Sequence, residues 1–282
     1  MTVTKELTQD DRLRAQRKLS LWGLLDPPLD GKWGAQSRSA LETFQELFGV
    51  TGDGILDDDA IKLVDSKGAP PALKGTGFVK TIADWYLKEG WFIARGLDTY
   101  NITYIEGINP NFTLNSDRLD EWNDLRILWQ CEHSGNVALV RVWKATTEPG
   151  AYYTYNKLNA KGAARIKFGQ YFSWQVGIHG SIQRHEALVQ CAPIEVYRDA
   201  NEDGKRVGDA LDSGLFGVNQ HAGMGSSIGR WSAGCLVVPS FEWHADFMSI
   251  IKRDRRYKAN NGYMFGTAII PGNELVTFAA KK

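Results

Sequence analysis

Cysteine is scarce in this 282-residue sequence: Cys131, Cys191 and Cys235 are the only three, too few and too scattered for a disulfide framework. No run approaches the roughly 20 apolar residues that cross a bilayer, which excludes a membrane-spanning helix. Neither sign of charge is in excess. The 33 Lys+Arg and 33 Asp+Glu give a formal net charge of +0, so no overall field recruits nucleic acid or an anionic membrane. The start, MTVTKELTQDDRLRAQ, has no apolar core, and the expectation is cytoplasmic synthesis without a signal peptide. Low-complexity stretches and internal repeats are also missing. What remains is ordinary for a folded chain: 43% hydrophobic and 23% charged residues, enough for one large or two modest domains with their own cores.

The first third reads as three helices. One begins after Thr8, with Asp10 and Asp11 in its first turn, where acids suit the positive end of the helix dipole. It carries Leu13, Gln16 and Leu21. The second spans about Gln36 to Phe48, with Ala40, Leu41, Phe44, Leu47 and Phe48 at helical spacing, and Gly49 stops it. The third begins at Asp57 and runs through Ala60, Ile61 and Leu63. Two Asp-Gly turns separate them, at Asp30-Gly31 and Asp53-Gly54. The stretch SKGAPPALKGTG at 66–77 is rich in Pro, Gly and Lys and has no apolar period, as a linker should.

These residues carry a resemblance. Leu13 and Gln16, DGKWG at 30–34, Ala40, FQ at 44–45 and DGILD at 53–57 resemble the peptidoglycan-binding module found on many wall hydrolases. The resemblance implies a three-helix module at residues 1–66 with peptidoglycan as its partner.

After a helix from Phe78 to about Leu87, the pattern changes to strands. NITYIEG (101–107), DLRILWQ (124–130), NVALVRVWKAT (136–146), FSWQVGIHG (172–180), EALVQCAPIEVYRD (186–199), GLFGVNQ (214–220), CLVVP (235–239) and YMFGTAII (263–270) are rich in Val, Ile and aromatics. One helix, Phe241 to about Lys252, interrupts them. The fold class expected is multidomain α + β. A helical domain at 1–66 and a linker at 67–77 precede a mostly antiparallel β-rich domain at 78–282.

Cys131 and Cys191 fall in strand-like apolar runs, where a free thiol packs as a small hydrophobe. Cys235 does not. It follows a Gly/Ser-rich loop and closes Ser232-Ala233-Gly234-Cys235, and His221 lies 14 residues upstream. Thiol catalysis needs a base or cation beside the sulfur and N–H groups aimed at a developing oxyanion. Gly234 would let the backbone approach substrate closely.

This pattern resembles the L,D-transpeptidase family, in which a histidine is followed by Ser/Thr-x-Gly-Cys. The resemblance implies Cys235 as nucleophile, His221 as its base and Ser232 as the motif serine. It also implies an oxyanion hole from the backbone of Ala233, Gly234 and Cys235. The family usually has a second histidine where this chain has Ala233, and Arg or Asn where it has Leu236 and Val237. Hydrolysis and transfer therefore both stay open. Trp231 is placed to stack on a sugar or wall the site. Arg230 is placed to pair with a stem-peptide carboxylate, and His179 to contact substrate from the loop that carries His185 and Glu186.

Two metal readings stand beside the thiol. Asp199, Asn201 and Asp203 alternate before Gly204 like the start of a calcium loop. The twelfth position is Ala210, so Asp209 or Asp212 would have to complete it. Glu242-Trp243-His244 resembles the Glu-x-His end of zinc D,D-carboxypeptidases, with His221 as an upstream ligand. The aspartate expected seven residues after that histidine is Ile228 here. The reading taken forward is an endolysin-like wall enzyme that acts on stem peptides through Cys235 and His221. It requires no cofactor beyond a structural calcium, and reaches the wall by export, injection or lysis. Its rivals are a non-catalytic wall-binding component of a phage or injection machine, and a zinc peptidase.

Overall fold

The computed structural model describes residues 7–282; residues 1–6, part of the start read as leaderless, lie outside it. Among the described residues no helix is long and apolar enough to cross a membrane. The chain divides into two compact units.

The first unit holds the described residues up to Tyr100, with Gln130–Ala138 and Asp254–Asn261. It contains α1 (Gln9–Leu21), α2 (Ala35–Leu47), α3 (Asp58–Ser66) and α4 (Gly77–Glu89). Thr8 caps α1. Its hydroxyl accepts the Asp11 N–H at 3.1 Å, and the Asp11 carboxylate accepts the Thr8 N–H at 3.1 Å, a reciprocal capping box. The buried face of α1 is Ala15, Gln16 and Leu19. Leu21, expected on that face, is 55% exposed. It lies two positions beyond Leu19, turned roughly 200° around the helix. Leu19, Leu41, Phe44 and Val64 form the core, with Trp22 edge-on to Phe44 and Phe48.

The two Asp-Gly turns use one device twice. Gln16, buried on α1, accepts the Gly31 N–H at 2.8 Å and donates to Lys32 O at 2.8 Å. Gln45, buried on α2, accepts the Gly54 N–H at 2.9 Å and donates to Asp53 Oδ1 at 2.8 Å. In each turn the aspartate accepts the N–H two residues on, at 2.9 Å for Asp30 and 3.0 Å for Asp53, an Asx turn. Gly31 (φ +72°) and Gly54 (φ +63°) are left-handed, a conformation that favours glycine. Gln45→Ala leaves the buried Gly54 N–H unpaired. It should cost about 1–3 kcal/mol, read as a lower denaturation midpoint for the helical unit. A loss below about 0.5 kcal/mol would mean that water replaces the amide.

This first unit differs from the expected division at 1–66, 67–77 and 78–282. The stretch read as a linker is pinned: Trp22 Nε1 donates to Gly68 O at 3.0 Å, and Lys74 exchanges backbone bonds with Gly135 (2.8 Å) and Val137 (3.1 Å). Helix α4, expected to open the second domain, belongs to the first unit.

Most strand residues fall in the second unit, in an eight-stranded sheet and a three-stranded one. The strands are β1 (Asn101–Glu106), β2 (Asp124–Cys131), β3 (Val137–Ala145), β4 (Ala163–Ile166), β5 (Gly169–His179), β6 (His185–Gln190), β7 (Ile194–Asp199), β8 (Ala210–Gly214), β9 (Gln220–Ala222), β10 (Leu236–Val238) and β11 (Phe265–Pro271). The large sheet runs β10-β9-β6-β5-β11-β1-β2-β3 and the small one β4-β7-β8. The large sheet is mixed, because β1 pairs with β11 and β9 with β10 in parallel. The small sheet is antiparallel. A multidomain α + β fold is therefore what the chain adopts.

Two expected strands break. EALVQCAPIEVYRD splits into β6 and β7 around Pro193, which cannot donate to a ladder. GLFGVNQ is coil through 215–219, where the Gln190 carboxamide oxygen accepts the N–H groups of Phe216 and Val218 at 3.0 Å each. Helix α5 (Phe241–Ile251) begins at Ser240, whose hydroxyl accepts the Trp243 N–H.

Candidate active site

Cys235 sits just before β10. Parallel pairing aligns Leu236 with Gln220 and Val237 with His221, so Cys235 falls opposite Asn219, and the Leu236 N–H donates to Asn219 O at 2.9 Å. The thiol is half-buried on a cleft of about 330 Å³ lined by Tyr153, Leu158, Arg198, Phe216, Val218 and Ala233, among others. Its sulfur accepts the Asn219 N–H at 3.4 Å and lies 3.5 Å from Gly217 O. Burial pushes the Cys235 thiol up to about 11, opposed only by that N–H.

His221 does not meet the sulfur, against expectation. Its Nδ1 lies 2.7 Å from Ala222 O, and among the described residues its buried Nε2 has no hydrogen-bond partner. The ring stacks on His179 instead, centroids 3.9 Å apart and planes 17° off parallel. Burial, then His179, lowers it to about 3. Thiol and imidazole are thus both neutral near pH 7, and no preformed thiolate–imidazolium pair exists. Alkylation of Cys235 should accordingly rise about tenfold per pH unit between about pH 7 and 10, since the thiolate is the reacting form. Site-resolved labelling by mass spectrometry reads this; a plateau from about pH 7 would disprove it.

The motif loop is braced rather than open. Ser232 is buried, donates from Oγ to Cys235 O at 2.8 Å and accepts the Gly234 N–H at 3.1 Å. Ser232 therefore holds the turn, and the Gly234 N–H is spent. The N–H groups of Ala233 and Cys235 make no hydrogen bond among the described residues, and both residues line the cleft. Gly234 has φ +128°, and a Cβ there would stand 2.5 Å from Ala164 O. Close packing against β4, rather than approach to a substrate, is what requires glycine.

The other expected contacts lie elsewhere. Arg230 is exposed, its guanidinium 3.9 Å from the Tyr152 ring centroid. Trp231 packs edge-on against Phe241. Neither lines the Cys235 cleft. His179 accepts from Asn219 Nδ2 through Nδ1 at 3.0 Å. Asn219, missed in the sequence, thus joins the thiol to the stacked histidines: its backbone meets the sulfur and its side chain meets His179. Its position two residues before His221 was the available signal, because alternate strand residues share a face.

The metal ligands read from sequence are otherwise engaged. Asp199 is fully buried, accepts the N–H groups of Asp203 (3.2 Å) and Gly204 (3.0 Å), and lies 3.5 Å from Arg165 Nε. Asn201 donates to Asp203, and Asp203 accepts the Lys205 N–H at 2.8 Å. The oxygens of Asp199 and Asp203 thus serve the turn itself. Asp209 has one buried oxygen without a hydrogen-bond partner among the described residues, and its carboxyl is raised by burial and then by the charges of Asp199 and Asp203. The residues assigned to calcium, Asp199, Asn201, Asp203 and Asp209, are not in the group of described side chains placed to share a metal ion. At the Glu-x-His site, His244 uses both ring nitrogens, with Arg126 at 3.2 Å and Glu186 O at 3.0 Å, while Glu242 is exposed.

Residues 8–63 match the family model described as "Putative peptidoglycan binding domain", as the Asp-Gly turns led us to expect. No curated protein matches the chain. Among solved structures the chain is similar to the fused Zn-dependent amidase/peptidase/peptodoglycan-binding domain-containing protein from Clostridium acetobutylicum ATCC 824. The identity is 12% and the TM-score 0.29, over 92% of this chain and 95% of that chain. At that TM-score the likeness carries no argument about mechanism.

The expectation that no cofactor is required is corrected by one cluster of acidic side chains. In this chain, Glu106, Asp117 and Glu148 bring three carboxylate oxygens within 4.8 Å of one another, a group able to hold a metal ion. Arg206 already pairs with Glu106 and Arg165 with Glu148. An all-carboxylate set shared with two guanidinium groups does not fit a catalytic zinc, which takes histidine or cysteine ligands and an open position.

Proposed function

We propose that this protein binds peptidoglycan through its N-terminal module and processes wall stem peptides at Cys235. The observation that carries the reading is the Cys235 sulfur on an open cleft, flanked by two unspent backbone N–H groups. Acyl transfer uses that combination: a nucleophile on a cleft and backbone donors beside it to receive an oxyanion.

The Cys235 sulfur attacks a peptide carbonyl carbon, forming a C–S bond. Its proton passes to His221 Nε2, the buried and unpartnered nitrogen. The carbonyl oxygen becomes an oxyanion between the N–H groups of Ala233 and Cys235. Collapse breaks the C–N bond, the leaving amine takes the proton from His221, and a thioester remains on Cys235. Water then regenerates the thiol by hydrolysis, or an amine does so by forming a cross-link. His221 must leave its stack on His179 to reach the sulfur. Asn219, bonded to both the sulfur and His179, is the residue through which substrate entry would be felt.

A second reading has its own support. The thiol raised to about 11 and its lack of contact with His221 favour a wall-binding protein whose cleft holds ligand without cutting it. Purified sacculi incubated with the protein, with and without an added amine acceptor, separate the readings. New free termini mean hydrolysis, and acceptor-linked peptides mean transfer. Retention on sacculi with no new product by mass spectrometry would sink the enzyme reading.

A further inference from the structure

Among the described residues, the Cys235 cleft is lined by one charged side chain, Arg198. Arg198 lies on β7 and is only 5% exposed. Its Nε donates to Asp212 Oδ2 at 3.0 Å, and its guanidinium carbon lies 4.4 Å from the Phe216 ring centroid. One edge of the fork is tied and one face is stacked. The two terminal amino groups make no hydrogen bond among the described residues, and neither is sealed from solvent.

The local charge is unbalanced in the same sense. Asp212 is shared between Arg198 and Lys161, whose Nζ lies 3.3 Å away. Two cations on one carboxylate leave one positive charge. The other β7 acids do not cancel it, because Glu195 pairs with Lys167 at 2.7 Å and Asp199 with Arg165 at 3.5 Å. A stacked guanidinium with two free N–H-bearing nitrogens matches a planar carboxylate.

We propose that Arg198 is the specificity residue of this cleft, holding a free carboxylate of the molecule presented to Cys235. The substrate class is then a peptide carrying a carboxylate near its reacting carbonyl, in preference to the same peptide amidated. As a statement about catalysis this rests on the reading of Cys235 as nucleophile; as a statement about recognition it is tested separately.

The test compares alkylation of Cys235 by iodoacetate, which carries a carboxylate, with alkylation by iodoacetamide, its uncharged analogue. Cys191 serves as reference within the same molecule, and peptides are quantified by mass spectrometry. In the full-length protein the acetate-to-acetamide ratio at Cys235 should exceed that at Cys191. It should fall roughly two- to fivefold in Arg198→Gln, the factor of a partly solvated ion pair, and hold in Arg198→Lys. Should Arg198→Gln fail to fold, Asp212→Asn leaves both cations in place, removes their shared acid, and should raise the ratio. A ratio that moves in neither Arg198→Gln nor Asp212→Asn overturns the proposal. Labelling needs no turnover. If Cys235→Ala keeps wall processing while the ratio shifts as expected, the nucleophile reading falls and the carboxylate site stands. If Cys235→Ala abolishes processing while the ratio stays flat, the reverse holds.

Discussion

Cys235→Ala should reduce release of wall peptides by about three orders of magnitude or more, with retention on sacculi unchanged. Removing a covalent nucleophile removes the route itself, so the loss has the size seen when a catalytic unit is dismantled. His221→Ala should cost about 10²–10⁴-fold, the range for a general base. The double variant should be little worse than Cys235→Ala alone, because the two act as one unit. Sacculus retention reads the helical module at residues 8–63, where Gln16 and Gln45 hold the turns, and does not involve the sulfur. Release that survives Cys235→Ala within tenfold would end the thiol mechanism.

Arg165→Ala should destabilise the β-rich unit by about 3–5 kcal/mol near pH 8, the usual loss when one partner of a buried ion pair is removed. Arg165 is fully buried, pairs with Glu148 and lies 3.5 Å from the fully buried Asp199. Its removal leaves two carboxylates with less compensation. Glu148 is already raised to about 7, first by burial and then by the charge of Glu106. A carboxyl raised in the folded state stabilises at low pH and loses that contribution as pH rises through the folded value. Glu148 therefore favours the fold below about pH 4.5 and withdraws that support by about pH 7. The Arg165→Ala deficit should accordingly shrink toward pH 5, where Glu148 takes a proton, and adding Glu148→Gln should recover part of it at pH 8. Denaturant unfolding followed by tryptophan fluorescence measures all three. A deficit under about 1 kcal/mol at pH 8 would show that the network relaxes around the loss.

Several features were legible in the chain because their causes are local. Thr8 and Asp57 cap helices that start where expected. The Asp-Gly turns are closed by glutamines only 15 and 9 residues away. The repeated use of the device is not visible in the sequence, since Gln16 and Gln45 share no flanking residues. Arg198 gave no signal at all. The strand run 186–199 contains Arg198, but which face of that strand lines a cleft is decided only when β7 is packed.

The sequence by itself determined the helical peptidoglycan-binding module and the α + β organisation, because propensity, capping and turn chemistry act over a few residues. Only the tertiary structure decided that His221 stacks on His179 rather than meeting the sulfur, that Gly234 serves Ala164, that Asp199 answers to Arg165, and that Arg198 faces the thiol cleft. Those partners lie 30 to 70 residues apart, and strand register selects among them. A register is set by how whole sheets bury their faces, and one step along a strand sends a side chain to the opposite side.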